Sequence, residues 1–359
     1  MPRASRDLRA GTPVAAGPAA APGSAHTRVR GRAGGWSGSA WRCGLAGRYI
    51  TCMRLDELIR GPRIVLFEGA MGTELERRGA PMGGAANLSH PEAVAAVHAD
   101  YRRCGIDLLM TNTLTGNRLF QRGRDVDLRA LNLAGVALAR AAAADLPVLG
   151  DIGSCGQLLK PFGPVAEEEA HAAFAEQARA LHAGGVDGFI VETMMDLREA
   201  LIALRACCEV VDLPVIVTLT FKTARNGGRT MLGHGAQDAA RQLEAAGAAV
   251  IGANCGEITP HELAGVVGAM RAATSLPILA KPNAGRPRLE QGRTVYDLPV
   301  ADFVAGLQGC IAAGATMIGG CCGTSPAYIA ALKMGTLPFS AEGEKGSVPI
   351  FSVSSSSRC

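Results

Sequence analysis

The chain has 359 residues, 48% of them hydrophobic and 19% charged, the composition of a globular protein with a large core; an aromatic fraction of only 4% means that small aliphatic side chains fill that core. Eleven cysteines without regular spacing are not the framework of a disulfide-stapled secreted domain, so a reducing, cytoplasmic setting is expected. Residues 1–52 hold eight arginines and one aspartate, a net +7, which leaves −3 of the formal +4 for residues 53–359, so the basic balance gives no reason to expect a nucleic-acid partner for the folded part.

In chain order, residues 1–52 are rich in Ala, Gly, Pro and Arg and have almost no apolar periodicity, so they are expected to form a disordered basic N-terminal extension. An Arg-rich, acid-poor start also suits a targeting peptide, but no apolar segment with a cleavage site follows, and Met53 opens "MRLDELIRGPRIVLFEG" in the manner of a natural beginning. From Met53 onward, short apolar runs alternate with Ala-rich helical patterns. The runs fall at 63–69, 106–112, 147–153, 187–193, 214–220, 249–255, 277–283 and 315–321, which makes eight candidate strands. They are apolar on both faces, as strands of a parallel sheet covered by helices must be. Helical patterns lie between them at 92–104, 126–144, 167–183, 197–211, 236–246, 260–274 and 301–313. Eight strand-and-helix units give the expected fold class: α/β, an eight-stranded parallel βα (TIM) barrel over residues 53–335. The uncharged stretch 303–332 is long enough to cross a bilayer but holds six glycines and Pro326, so it reads as helix, turn, strand and loop, and no membrane association is expected. Residues 336–359 are Ser-rich and polar, an expected surface tail.

In such a barrel the chemistry sits at the C-terminal ends of the strands. Those ends offer Glu68, Asn112 with Thr113, Asp151, Glu192 with Thr193, Thr220, Asn254 with Cys255, Lys281 with Asn283, and Cys321 with Cys322. The three cysteines belong to the sixth and eighth strands, which have one strand between them, so their sulfurs can converge. Three thiolates about 4 Å apart hold a tetrahedral metal ion with its fourth position open. Adjacent cysteines in a regular strand would point oppositely, but Gly319, Gly320 and Gly323 permit a turn that aims both inward. Cys207 and Cys208, in the helical run "LIALRACCEVV", read instead as small packing residues.

"ANCG" at 253–256 followed by "GGCCGT" at 319–324 resembles the zinc signature of the homocysteine S-methyltransferases, the domain that also forms the N-terminal part of cobalamin-dependent methionine synthase. The resemblance extends through "FEGAMGTELERRG" (67–79), "TNTLTGNR" (111–118), "DIGSCG" (151–156) and "VETMMD" (191–196), and so spans roughly residues 55–335. It implies that Cys255, Cys321 and Cys322 hold Zn²⁺, that the homocysteine thiol takes the fourth position as a thiolate, and that a methyl group passes to it to give methionine. It further implies that Glu192 binds the substrate ammonium, and that Gly69 and Ala70 offer N–H groups to its carboxylate with Glu68 beside them, where most of the family has Asp. Thr73, Asn112 and Asn254 are polar liners on this reading.

The corrinoid motif DxHxxG is absent, so the methyl donor is expected either from a methylcorrinoid on a separate docking protein or from a small onium compound such as S-methylmethionine or betaine. Likeness of the motifs to the methionine synthase branch favours a corrinoid- or folate-linked donor. Two readings of another class stand beside this one: a non-catalytic zinc- and thiol-binding barrel, and a lyase in which Lys281 forms a Schiff base, for which no phosphate-binding signature is present. Deletion of residues 1–52 is expected to leave folding and activity intact, because that segment has too little apolar surface to join the core; a truncated protein that melts many degrees lower would contradict this.

Overall fold

The computed structural model describes residues 54–336; the basic extension 1–52 and the tail from 337 onward lie outside the described residues. Helical residues 54–60 (α1) lead into β1 (Val65–Leu66), followed by the short helices α2 (Gly72–Arg77) and α3 (Ala86–Ser89) and the long α4 (Pro91–Arg103). Strand and helix then alternate: β2 (Leu109–Met110), α5 (Leu128–Ala143), β3 (Val148–Ile152), α6 (Glu167–Gly184), β4 (Gly188–Met194), α7 (Leu197–Val210), β5 (Val215–Leu219), α8 (Ala236–Ala245), β6 (Val250–Asn254) and α9 (Pro260–Arg271). After β7 (Ile278–Lys281) comes an antiparallel hairpin, β8 (Arg288–Glu290) and β9 (Arg293–Val295), then α10 (Val300–Ala312), β10 (Met317–Ile318) and α11 (Pro326–Thr336).

Helix boundaries follow local chemistry. Asp127 accepts from Ala130 N at the start of α5, Asp196 accepts from Arg198 N at the start of α7, and Thr259 with Glu262 forms a reciprocal capping box ahead of α9. Gly185, in the left-handed region at φ 94°, ends α6.

Eight strands make one parallel sheet in the order β1-β10-β7-β6-β5-β4-β3-β2, a curled sheet flanked by helices and the α/β barrel expected from the alternation. At the seam between β1 and β2, Asp107 N donates to Leu66 O at 2.8 Å and Leu66 N donates to Asp107 Oδ2 at 2.7 Å. The strands are shorter than the apolar runs. The run at 63–69 forms a ladder only over Val65–Leu66, because the backbone beyond leaves the sheet to build a loop at the mouth. The helices α2 and α3 and the β8–β9 hairpin sit inside two of the loops and had no counterpart in the apolar pattern.

Two apolar layers follow from strand alternation. One residue set packs outward against the helices. The other, including Val65, Leu149, Ile190, Ile216, Leu279 and Met317, fills the barrel interior, and α1 adds Leu55, Leu58 and Ile59 to it. Leu55 sits at the start of β4, where an added Cβ on Gly188 would lie 2.8 Å from Leu55 Cδ2, so α1 closes the N-terminal end of the barrel. No helix among the described residues is long and apolar enough to cross a membrane. Leu55→Ala is expected to lower unfolding stability by about 2–5 kcal/mol, read from the urea midpoint, because the plug site cannot collapse onto a smaller side chain; a change below about 0.5 kcal/mol would show that α1 does not seal the core.

Candidate functional site

Cys255 follows the last residue of β6, and Cys321 and Cys322 follow β10, so all three stand at the C-terminal end of the barrel. The sulfurs of Cys255 and Cys322 are 4.0 Å apart, and the three sulfurs all lie within 4.8 Å of one another. A tetrahedral ion with Zn–S near 2.3 Å needs sulfurs about 3.8 Å apart, so the trio fits such an ion with adjustments of about 1 Å. The donor set, three sulfurs and no carboxylate, suits a thiophilic ion.

Backbone geometry creates the convergence. Cys255 has φ 55°, in the left-handed region, and Gly256 follows at φ 81°; a non-glycine residue held there costs on the order of 1–3 kcal/mol. On the other side Gly323 has φ 81°, and an added Cβ at Gly320 would lie 2.4 Å from Thr324 Oγ1, so the turn around the adjacent cysteines requires glycine. Cys255 N donates to Lys281 O at 3.1 Å, Cys321 N to Pro282 O at 2.8 Å, and Ala284 N to Cys322 O at 3.0 Å, which ties both cysteine segments to the end of β7.

The crowded thiols perturb one another in opposite directions. Hydrogen bonds from Cys255 and Cys321, against the effect of burial and with help from the Tyr296 hydroxyl, bring the Cys322 thiol down to about 3. The same contacts, with burial, push Cys255 well above the usual thiol range. A divalent cation would replace the shared protons as the compensating charge.

The remaining expected residues divide. Glu192 is buried at the mouth, and its Oε2 accepts from Lys281 Nζ at 2.8 Å. Asn254 is fully engaged: its Oδ1 accepts from Thr193 N at 2.9 Å and Thr218 Oγ1 at 2.7 Å, while its Nδ2 donates to Thr193 Oγ1 at 2.8 Å and lies 3.8 Å from Cys321 Sγ. Gly69 faces Thr324 and Tyr101, whose hydroxyls would each be 2.7 Å from an added Cβ.

Others are committed to the protein itself. Ala70 N donates to Thr324 Oγ1 at 3.0 Å, Thr73 Oγ1 accepts from Gly323 N at 3.2 Å, and Asn112 Nδ2 donates to Gly83 O at 3.1 Å and Asn87 Oδ1 at 3.0 Å. The Ala70 N–H, expected to face the substrate carboxylate, here donates to Thr324 Oγ1 and closes the loop. Glu68 Oε1 accepts from Met110 N at 3.3 Å, and its Oε2 lies 3.8 Å from buried His98 Nδ1, which places this carboxylate at the β1–β2 seam. Lys281, read from sequence as a Schiff-base alternative, is instead a buried ammonium paired with Glu192.

Sequence reasoning assigned no role to Tyr296, Thr324, Asp151 or Asn283. Tyr296 lies in the long loop after β7 and packs on Gly323, where an added Cβ would be 2.3 Å from Tyr296 Cβ; nothing in a loop of that kind carries a periodic signal. Asn283 donates to Gly256 O at 3.0 Å and leaves its Oδ1 buried without a partner.

The sequence profile of the homocysteine S-methyltransferase family matches residues 65–335. Methionine synthase of Mycobacterium tuberculosis is 30% identical over 293 residues, which cover 74% of this chain and 24% of that protein, and methionine synthase of Mycobacterium leprae is 29% identical over 291 residues with the same coverage. The chain thus spans about a quarter of the length of these curated relatives. Among solved structures, the metallated form of the homocysteine methyltransferase MmuM from Escherichia coli is similar at 26% identity and a TM-score of 0.67, covering 78% of this chain and 99% of that one.

Cys255→Ser, Cys321→Ser and Cys322→Ser are each expected to lose bound zinc, because a serine hydroxyl stays protonated and is a poor ligand, whereas Cys207→Ser, in the α7 core, keeps it. Elemental analysis with X-ray absorption on the reduced protein checks this; a first shell of nitrogen and oxygen would rule out the three-sulfur site.

Proposed function

Because this chain belongs to the homocysteine S-methyltransferase family, we propose that it transfers a methyl group to the thiol of homocysteine, giving methionine, at a Zn²⁺ held by Cys255, Cys321 and Cys322. The observation that carries this reading is the convergence of three sulfurs within 4.8 Å at the C-terminal end of the barrel, where barrels of this kind do their chemistry. A Zn²⁺ held there would supply Lewis acidity that favours the thiolate of a thiol whose ordinary pKa is about 8.5, the proton passing to solvent; the thiolate is the form that attacks a methyl group, whose donor leaves with the electron pair of the broken bond.

The protein's own groups hold the rest of the substrate. Glu192, buried beside Cys321, offers its carboxylate to the ammonium. Gly69 stands on the β1 loop that Tyr101 and Thr324 hold in place, and on this reading its N–H, with Ala70, Glu68 and Thr73 around it, faces the substrate carboxylate. Asn254 keeps Cys321 in position from below, and Asn112 fixes the loop at 83–87.

For the donor we favour a methyl group delivered on a corrinoid- or folate-linked carrier. Among the described residues, seven of the eight exposed large apolar side chains lie in connections leaving the C-terminal ends of strands, including Met82, Met195, Met231 and Leu289, with Phe162 74% exposed. Exposed apolar side chains on that side of the barrel suit a macromolecular carrier better than a small, charged onium donor. Methionine synthases, a quarter of whose length this chain covers, are the relatives in which that arrangement is to be compared.

The test is a panel of donors (methylcobalamin, methyltetrahydrofolate, S-methylmethionine and betaine) offered with homocysteine, with methionine measured by mass spectrometry. Methionine from the corrinoid or folate arm supports the proposal, and turnover with S-methylmethionine or betaine alone overturns its donor half. Glu192→Gln is expected to raise KM for homocysteine by at least about tenfold while leaving zinc content unchanged, since the lost contact is with the ammonium; equal loss of zinc would make the residue structural.

A further inference from the structure

Three strands place a titratable side chain two residues beyond an interior apolar one. In β3 Leu149, in β4 Ile190 and in β7 Leu279 belong to the interior apolar cluster. Two residues further along each strand stand Asp151, Glu192 and Lys281, and alternation points them inward as well, one step nearer the mouth. The apolar interior thus ends in a polar floor, and the cysteines begin near it: Asn254 is the register partner of Lys281, and Cys255 N donates to Lys281 O.

Lys281 spans this floor. It is 1% exposed, donates to Glu192 Oε2 across the barrel, lies 3.1 Å from Met110 Sδ, and stands 5.8 Å from the centre of the Phe67 ring. Burial works against its charge, but the Glu192 carboxylate outweighs that, and Lys281 is held above the usual lysine range. Asp151 has no such partner. Its backbone is satisfied by Thr111 and Thr113, yet its Oδ1 is buried with no hydrogen bond. A shielded carboxyl oxygen without a partner is costly, and the one ammonium nearby already serves Glu192. Burial, with Glu192 beside it, pushes the Asp151 carboxyl well above the usual carboxylate range, and the one ammonium nearby is bonded to Glu192, so a second cation is what would ionise this group.

We propose that Asp151 is a second substrate-binding carboxylate, which joins Glu192 in taking the α-ammonium of the thiol amino acid, and that Lys281 is a positioning residue that holds Glu192 in place and offsets one of the two charges. This rests on the reading of the substrate given above. The floor then selects an aminated thiol: a thiol lacking the amino group leaves the buried carboxyl without its cation.

Calorimetric titration of the zinc-loaded chain with homocysteine and with 4-mercaptobutyrate, which is homocysteine without its amino group, tests this without any methyl donor. Wild type is expected to prefer homocysteine by at least about tenfold, and Asp151→Asn to remove most of that preference by weakening homocysteine while leaving the Kd of 4-mercaptobutyrate within about twofold and zinc content unchanged. Lys281→Met is expected to shrink the same preference and Lys281→Arg to keep it; if Lys281→Met does not fold, the Asp151→Asn ratio decides. Asp151→Asn weakening both thiols equally, or neither, overturns the inference. A wild-type chain that binds both thiols equally overturns it too while leaving the homocysteine reading standing, and one that binds neither overturns both.

Discussion

The mouth of this barrel depends on one hydroxyl. Thr324 Oγ1 accepts from Ala70 N at 3.0 Å and donates to Cys321 O at 2.7 Å, so it joins the loop after β1 to the turn that carries two of the three cysteines. Tyr101, from α4, backs the same joint by donating to Ala70 O at 2.9 Å, and Thr73 receives Gly323 N from the other side. Strands β1 and β10 are neighbours in the sheet but lie at opposite ends of the described chain, so this is also where the barrel's ends are locked together. The glycines around the joint follow from it: Gly69 and Gly320 have no room for a Cβ because Thr324 and Tyr101 occupy that space.

Once the joint is made, the third sulfur has to come to it. β6 is separated from β10 only by β7, and the left-handed turn at Cys255 brings its side chain toward the adjacent pair. Such backbone strain persists only where surrounding contacts over-determine it. Here Cys255 N is bonded to Lys281 O and Asn283 donates to Gly256 O, so β7 grips the turn on both sides. The strand between the cysteine strands therefore serves as their common anchor, and through Lys281 it also reaches across to β4.

That reach links the three cysteines to Glu192. Glu192, Lys281 and Asp151 form a buried polar layer near the sulfurs, with apolar packing below it and α1 closing the far end. These groups are desolvated, which makes each pairing strong and each unpaired group expensive.

The eight-fold alternation of apolar runs and helical patterns determined the barrel, because a parallel strand buried on both faces leaves a local signature that needs no knowledge of its neighbours. The cysteines were legible for the same reason: strand ends at the mouth follow from the fold class, and two of them carried three sulfurs beside glycine. Lys281 and Asp151 stood at strand ends in the sequence too, but the pairing of Lys281 with Glu192 and the isolation of Asp151 could not be read there. They depend on which strands face each other across the barrel, a matter of closure and register. Likewise the resemblance made Thr73 and Asn112 polar liners and Ala70 a backbone N–H donor. Only the folded chain decided that their hydrogen bonds are spent on loops, since a donor's partner is set by distances between segments up to 254 residues apart in sequence.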